Sequence, residues 1–337
     1  MKIKSIIVKS ALEVVYEEED INELDLKPNE VFIESLISMI SPGTELSRVF
    51  GLKKGATYPV RPGYCTVGKV LGKGTEVNKV NIGDTVLTLA PHGSHHIYDG
   101  GSHKEKVLYK LDPRLSPKEG AMIVMCWIAL NGILPVDVKP FDTVVIFGMG
   151  NLGIFLAIYY KQMGVKVIGV DPVEHRCAVA RSCGIETVLS CDPSDQAKMI
   201  MELTKQKGAD IVVDATGLSP VVETAIEVAA KNAQVVLLGS PRSDYTTNVT
   251  PMLNAIHMRN IKVIGALNQL YPFEEKEGSR ISQRRGMDYI SELMVKKIID
   301  VDKFISHVVI PEDMMSAYDG LMNHKEVYTS VLVDWTK

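Results

Sequence analysis

The sequence predicts an α/β chain in which a doubly wound parallel sheet is joined to a β-rich part, and three observations carry that reading. The first third consists of short alternating strands broken by turn residues. From about Thr143 buried apolar runs alternate with helical stretches, and a glycine cluster lies where the first of those runs gives way to a helix. At 337 residues the chain has room for two domains. With 46% hydrophobic and 23% charged residues it is a folded globular protein, which excludes disorder, collagen and coiled coil.

The β-rich part is expected to contain strands at 2–8, 31–40, 68–72, 85–90 and 106–110. The second part reads strand TVVIF, a helix over 152–163, strand VKVIGVD, a helix over 174–183, strand DIVVDATG, a helix over 221–230, then strands QVVLLGS and IKVIGA. Repeated βα units of this kind imply parallel strands with right-handed crossovers. After Ala266 the rhythm stops. A polar stretch leads into a helix over 287–296, a strand ISHVVI in which His307 is structural, and a terminal strand TSVLVDW, which together look like a return to the first part.

Charge and cysteine usage narrow the class. Lys plus Arg is 37 against 41 Asp plus Glu, a net charge of −4, so no basic excess is available for nucleic acid. The apolar stretches 120–136 and 143–160 carry Asn131, Asn151 and glycines, and read as core elements rather than membrane spans. The N-terminus has no uninterrupted apolar run with a cleavage site. Five scattered cysteines without a CxxC spacing fit a reducing compartment, and the expected location is cytoplasmic.

The glycine cluster is Gly148-Met149-Gly150-Asn151-Leu152-Gly153. In a strand-to-helix context the first glycine allows the tight turn, the second lets a pyrophosphate approach the backbone, and the third lets the helix pack on the strand. The anion would sit on unpaired N–H groups of the helix N-terminus. Asp171 ends the next strand, where a carboxylate accepts hydrogen bonds from ribose hydroxyls and repels a 2′-phosphate. NAD is therefore expected over NADP, with Arg176 the nearby cation that would soften the preference.

Taken in order, PGTEL, PGYCTVGKV, GTEVNKVNIGDTV, GMGNLG, VDP, GADIVVDATG and VVLLGS resemble the medium-chain dehydrogenase/reductase (alcohol and polyol dehydrogenase) superfamily over essentially the whole chain. Within it, Ser-Pro-Gly-Thr-Glu is most similar to the bacteriochlorophyllide and sugar or cyclitol dehydrogenase subgroup. The resemblance implies a GroES-like catalytic domain from 1–124 and 268–337 and a Rossmann domain over 125–267. It further implies cofactor contacts from Thr216, Gly217 and Gly239, and assembly as a homodimer or homotetramer.

Zinc members of that superfamily place ligands in Cys-Gly-Thr-Asp, in Gly-His-Glu and just before the Rossmann domain. Here the matching residues are Pro42-Gly43-Thr44-Glu45, Gly63-Tyr64-Cys65 and, near the third, Val124, so neither a catalytic zinc nor the four-cysteine structural zinc is expected. Cys65 with His92, His95, His96 and His103 could form a rearranged site, but their spacing matches no zinc pattern.

Without a metal, alcohol oxidation still needs a proton acceptor and a group to stabilise the alkoxide. Thr44 stands where the family keeps a proton relay, Tyr64 where it keeps a histidine ligand, and Glu45 could orient Tyr64 or Arg48. Histidine suits proton transfer near neutrality, and His95 is favoured among His92, His95 and His96. Arg48, Trp127 and Asn131 are candidates for the substrate pocket. The expected activity is NAD-dependent, zinc-independent interconversion of a ring-borne or polyhydroxylated secondary alcohol and a ketone. Two other outcomes fit the same residues: a zinc-free enoyl or quinone reductase, and an inactive NAD(H)-binding regulatory protein.

Overall fold

The computed structural model describes residues 2–20, 25–52, 55–100, 106–241 and 244–337. His103 lies outside them. The chain divides into two compact units, one formed by Met1–Val124, Tyr271–Lys297 and Phe304–Lys337, the other by Met125–Leu270 and Ile298–Lys303. Relative to the domain limits expected from sequence, the second unit takes in three residues beyond 267 and also reclaims the short segment Ile298–Lys303.

The first unit opens with β1 (Lys2–Ser10) and β2 (Glu13–Asp20), an antiparallel pair turned through Leu12 at φ 66°. Then come β3 (Glu30–Met39), helix α1 (Pro42–Val49), β4 (Thr66–Lys73), β5 (Thr85–Thr88), β6 (His95–Asp99) and β7 (Leu108–Lys110). Helix α2 (Pro117–Leu130) carries the chain across the boundary between the units. β2 was hidden by its acidic run, and α1 by a Pro-Gly that reads as a turn. Proline suits the first helical turn, where its missing N–H has no partner to lose, and Leu46 and Val49 give that helix a buried face.

The second unit begins β8 (Thr143–Phe147), α3 (Asn151–Gln162), β9 (Lys166–Val170), α4 (Glu174–Ser182), β10 (Thr187–Leu189), α5 (Pro193–Leu203) and β11 (Ala209–Asp214). It continues α6 (Ser219–Glu227), β12 (Ala229–Leu237), α7 (Thr250–Arg259) and β13 (Lys262–Gly265). The six strands are parallel in the order β10-β9-β8-β11-β12-β13. Sequence order therefore reverses between β8 and β11, the switch point at which doubly wound sheets bind ligands. β10 is the strand the sequence pattern missed, being only three half-buried residues long. Beneath the sheet, Val145, Phe147, Ile168, Val212, Val235 and their neighbours form the apolar core.

The chain then returns to the first unit through α8 (Gln283–Val295), β14 (Ile305–Val309), α9 (Met314–Asn323) and β15 (Ser330–Asp334). β15 pairs antiparallel with β3, completing the order β14-β15-β3-β4-β5-β7, with β6 on β3. Helices α1 and α9 share one core, in which Leu46 and Val49 meet Met314, Ala317, Tyr318 and Leu321. Among the described residues no helix is long and apolar enough to cross a membrane.

Candidate active site

In the second unit the glycine loop is built by backbone contacts. Gly148 turns at φ 94° and its N–H donates to the Val170 carbonyl at 2.8 Å. A Cβ on Gly153 would stand 1.8 Å from the Gly148 carbonyl oxygen, so only glycine lets α3 start this close to β8. Around Gly150 the same test finds nothing within 4 Å, and no side chain caps the first turn of α3. An uncapped helix N-terminus beside open space suits a pyrophosphate.

The other expected cofactor residues gather around this loop. A Cβ on Gly148 would meet Thr216 Cγ2 at 2.8 Å, and Gly217 and Gly239 approach backbone to backbone. Asp214 Oδ1 fixes that turn by accepting from the Thr216 N–H and hydroxyl at 2.8 and 2.6 Å. Asn151 and Leu152 open α3. Asp171 is 2% exposed: its Oδ2 accepts from the Met149 N–H at 2.9 Å, its Oδ1 from the Val173 N–H at 2.8 Å, and Arg176 lies 3.5 Å away. Asp171 thus clamps the glycine loop; Oδ2 also accepts from Arg176 Nη1, and Oδ1 keeps a second lone pair for a further donor.

In the first unit, α1 and the strand ends assemble a network from distant parts of the chain. Glu45, buried on the first turn of α1, accepts from the Ser41 N–H at 2.7 Å through Oε1. Its Oε2 accepts from the Tyr318 hydroxyl of α9 at 2.8 Å and lies 2.9 Å from His92 Nε2. His92 Nδ1 is 2.7 Å from the Ser38 hydroxyl, which in turn accepts from the Trp335 indole N–H at 2.8 Å. One proton arrangement serves every partner: Trp335 to Ser38, Ser38 to His92 Nδ1, and His92 Nε2–H to Glu45. Ser38, His92 and Glu45 resemble a hydrolase triad only in composition. Ser38 and His92 are 0% exposed, and the serine oxygen is already engaged.

Ser41 links this buried network to the surface. Its hydroxyl does not cap α1 but shares a short hydrogen bond with the Tyr64 hydroxyl. Thr44, close enough to lower the pKa of the Tyr64 phenol, is exposed. Burial, and after it the Cys65 thiol, push the Tyr64 phenol up to about 12, against the lowering effect of Ser41 and Thr44. Tyr64 is therefore a protonated phenol at neutral pH, able to donate a hydrogen bond and not available as a base. The Cys65 thiol is fully buried and pushed up by burial and by Glu45.

The structure thus brings Thr44, Glu45 and Tyr64 together, with Glu45 reaching Tyr64 only through Ser41. It corrects three details of the sequence reading. Glu45 does not pair with Arg48, because its oxygens are taken by Ser41, His92 and Tyr318. The histidine of the cluster is His92, not His95, which stacks on Phe32 with ring centroids 5.5 Å apart and contacts the Ser94 hydroxyl through Nδ1. His96 gives its Nε2 to the Gly93 carbonyl, and burial pushes it down to about 4. Trp127 and Asn131 are buried to 2% and 1% exposure, with the Asn131 amide donating to the Trp127 carbonyl at 2.6 Å, as core groups do. Sequence reasoning missed Ser38, Ser41, Tyr318 and Trp335. Only Ser41, beside PGTEL, gave any local signal.

At the positions matched to the superfamily's zinc ligands, Pro42 and Val124 offer no ligand atom and Tyr64 offers a phenol, while both nitrogens of His92 are engaged.

Residues 151–279 match the family described as zinc-binding dehydrogenase. The chain is 25% identical to D-arabitol-phosphate dehydrogenase from Enterococcus avium over 85% of each protein. It superposes on galactitol-1-phosphate dehydrogenase from Escherichia coli with a TM-score of 0.83, at 19% identity, covering 98% of this chain and 99% of that one. A short chain alcohol dehydrogenase from Escherichia coli CFT073, complexed with NADH, gives 0.80 at 16% identity and 99% coverage of both.

Proposed function

We propose that this chain, which resembles the medium-chain dehydrogenase/reductase superfamily, is an NAD-dependent, zinc-independent oxidoreductase interconverting a polyhydroxylated secondary alcohol and its ketone. The observation that carries the reading is the Ser41–Tyr64 hydroxyl pair beside Thr44, at positions that the sequence resemblance matches to the superfamily's zinc-ligand segments. Three hydroxyls can hold a substrate oxygen and exchange its proton without a Lewis acid. The residues matched to the zinc-binding family, 151–279, include none of Pro42, Tyr64 and Val124.

A nicotinamide dinucleotide, when bound, supplies or accepts the hydride. Gly148, Gly150 and Gly153 would present the backbone to its pyrophosphate, and Asp171 would meet its ribose. The Asp171 carboxylate, pinned by two backbone N–H groups, supports NAD over NADP because it would meet a 2′-phosphate charge to charge. In ketone reduction Tyr64 gives its phenolic proton to the oxygen that becomes the hydroxyl, and the exposed Thr44 passes a proton back from solvent. D-Arabitol-phosphate and galactitol-1-phosphate dehydrogenases among the similar proteins support a polyol-like substrate for this chain as well.

Turnover of ketoses, cyclic ketones and activated alkenes with 4-deuterated NADH tests the proposal. Deuterium on a carbinol carbon is the expected result. Deuterium on a former alkene carbon would make the protein an enoyl or quinone reductase, and tight NADH binding with no transfer would make it a regulatory protein. Five unpaired cysteines support a reducing, cytoplasmic setting. Homodimerisation through β13 is supported by its place at the sheet edge and by exposed Val263, Leu267 and Met258. A concentration-independent monomer in sedimentation would refute it.

A further inference from the structure

We infer that Ser41 is a further catalytic residue: its hydroxyl donates to the Tyr64 oxygen, turns the phenolic proton outward to the substrate and holds the phenolate left behind, with Glu45 as the positioning residue that fixes Ser41. The inference rests on the reductase and dehydrogenase reading above and names the group that makes Tyr64 competent in it.

Ser41 precedes α1, where a serine ordinarily turns its hydroxyl to the N–H groups of the first turn. Here no such bond forms, and the hydroxyl is directed across to Tyr64. What replaces the cap is unusual in its direction, because the Glu45 side chain reaches back to the Ser41 N–H at 2.7 Å. Glu45 is itself immobilised by Tyr318 and by His92, which is braced through Ser38 by Trp335. A strand, a loop, the residue after β15 and two helices thus converge to set the backbone of one serine. That serine's hydroxyl is bonded to a phenol, and the neighbouring Thr44 is exposed.

The step balances as follows. A bound reduced nicotinamide would supply the hydride to the carbonyl carbon and be left oxidised, and the carbonyl π pair would become a lone pair on oxygen. The Tyr64 O–H bond breaks as the new substrate O–H bond forms, leaving its electron pair on the Tyr64 oxygen, where the Ser41 O–H stabilises it. Water restores the Tyr64 proton through Thr44. The titratable groups facing Tyr64 are Glu45 and Cys65, both of which oppose the phenolate. A neutral donor is therefore required on the side where Ser41 stands.

A double-mutant cycle on the full chain tests this. Ser41→Ala should lower kcat by about ten- to a hundredfold, the worth of one hydrogen bond to a charged group, with KM little changed. Ser41→Thr should retain most activity. In a Tyr64→Phe background Ser41→Ala should cost almost nothing, and the thermal midpoint should move little because no cap is lost. A second measurement needs no turnover. With a fluorinated tyrosine at position 64, whose phenol titrates within reach, Ser41→Ala should weaken its acidity constant by about tenfold. An equal kcat loss in both backgrounds, or an unmoved fluorotyrosine titration, would overturn the inference. A parent protein that transfers no hydride would instead sink the functional reading, and the titration would still decide whether Ser41 donates to Tyr64.

Discussion

Two helix starts in this molecule do different work. At α3 the functional surface is backbone: glycines remove side chains, the turn exposes N–H groups, and Asp171 ties the loop to the strand beside it. At α1 the functional surface is hydroxyl: Ser41, Thr44 and Tyr64 form it, and a buried carboxylate holds them. The first kind of site depends on what is absent from the side chains, whereas the second depends on what each side chain touches. They should therefore fail differently when altered.

Gly153→Ala should give the largest effect. The added carbon would overlap the Gly148 carbonyl at 1.8 Å, and no rotamer can relieve a clash between two backbones. Calorimetry should show NADH binding lost, and denaturant unfolding should show a destabilisation of about 1–3 kcal/mol. Unchanged NADH affinity would mean that the cofactor does not use this loop.

Tyr64→Phe breaks the other helix start more selectively. NADH affinity should be unchanged, while kcat for ketone reduction falls by about a hundred- to ten-thousandfold, the range for losing a general acid. A fall of less than tenfold would identify Tyr64 as a filler of the space where relatives hold metal. Because Tyr64 stays a phenol up to about pH 12, no alkaline limb from it should appear in reduction below pH 10.

The contrast also explains what the sequence could reveal. Gly148, Gly150, Gly153 and Asp171 lie within 24 residues, and the conformations they permit are encoded locally. The parallel strands were legible for the same reason, since long apolar runs separated by helices admit few topologies. The network behind Tyr64 joins residues 38, 41, 45, 64, 92, 318 and 335, and no local pattern connects Glu45 to Tyr318. The sequence reading favoured His95, yet it is the loop before β6 that places His92 on Glu45. The helix α1 was obscured because Pro-Gly signals a turn as readily as a helix start.

Asp171→Ala should act on selectivity more than on catalysis. Removing a fixed charge beside the ribose should narrow the preference for NADH over NADPH by about tenfold, equal to 1.4 kcal/mol of differential binding. Since Asp171 also holds the Met149 N–H, affinity for both cofactors should fall in parallel. A preference that survives intact would assign the discrimination to another group.

The smallest expected effect is none, and it bears hardest on the difference between this chain and the zinc enzymes it resembles. Prolonged dialysis against a strong chelator should leave both turnover and the thermal midpoint unchanged. Loss of a single ligand could be repaired by a neighbouring carboxylate, as tetrahedral zinc accepts nitrogen, sulfur or oxygen. Here the nearest carboxylate, Glu45, already serves Ser41, Tyr318 and His92, and His92 has no nitrogen left to offer. Recruiting either would dismantle the network that fixes Ser41, so metal and hydroxyl cluster are alternatives rather than partners. Stoichiometric zinc by elemental analysis, with activity lost on its removal and restored on its return, would reverse the assignment of proton transfer to Tyr64. It would leave the glycine loop and its dinucleotide untouched, because that site owes nothing to the side chains of α1.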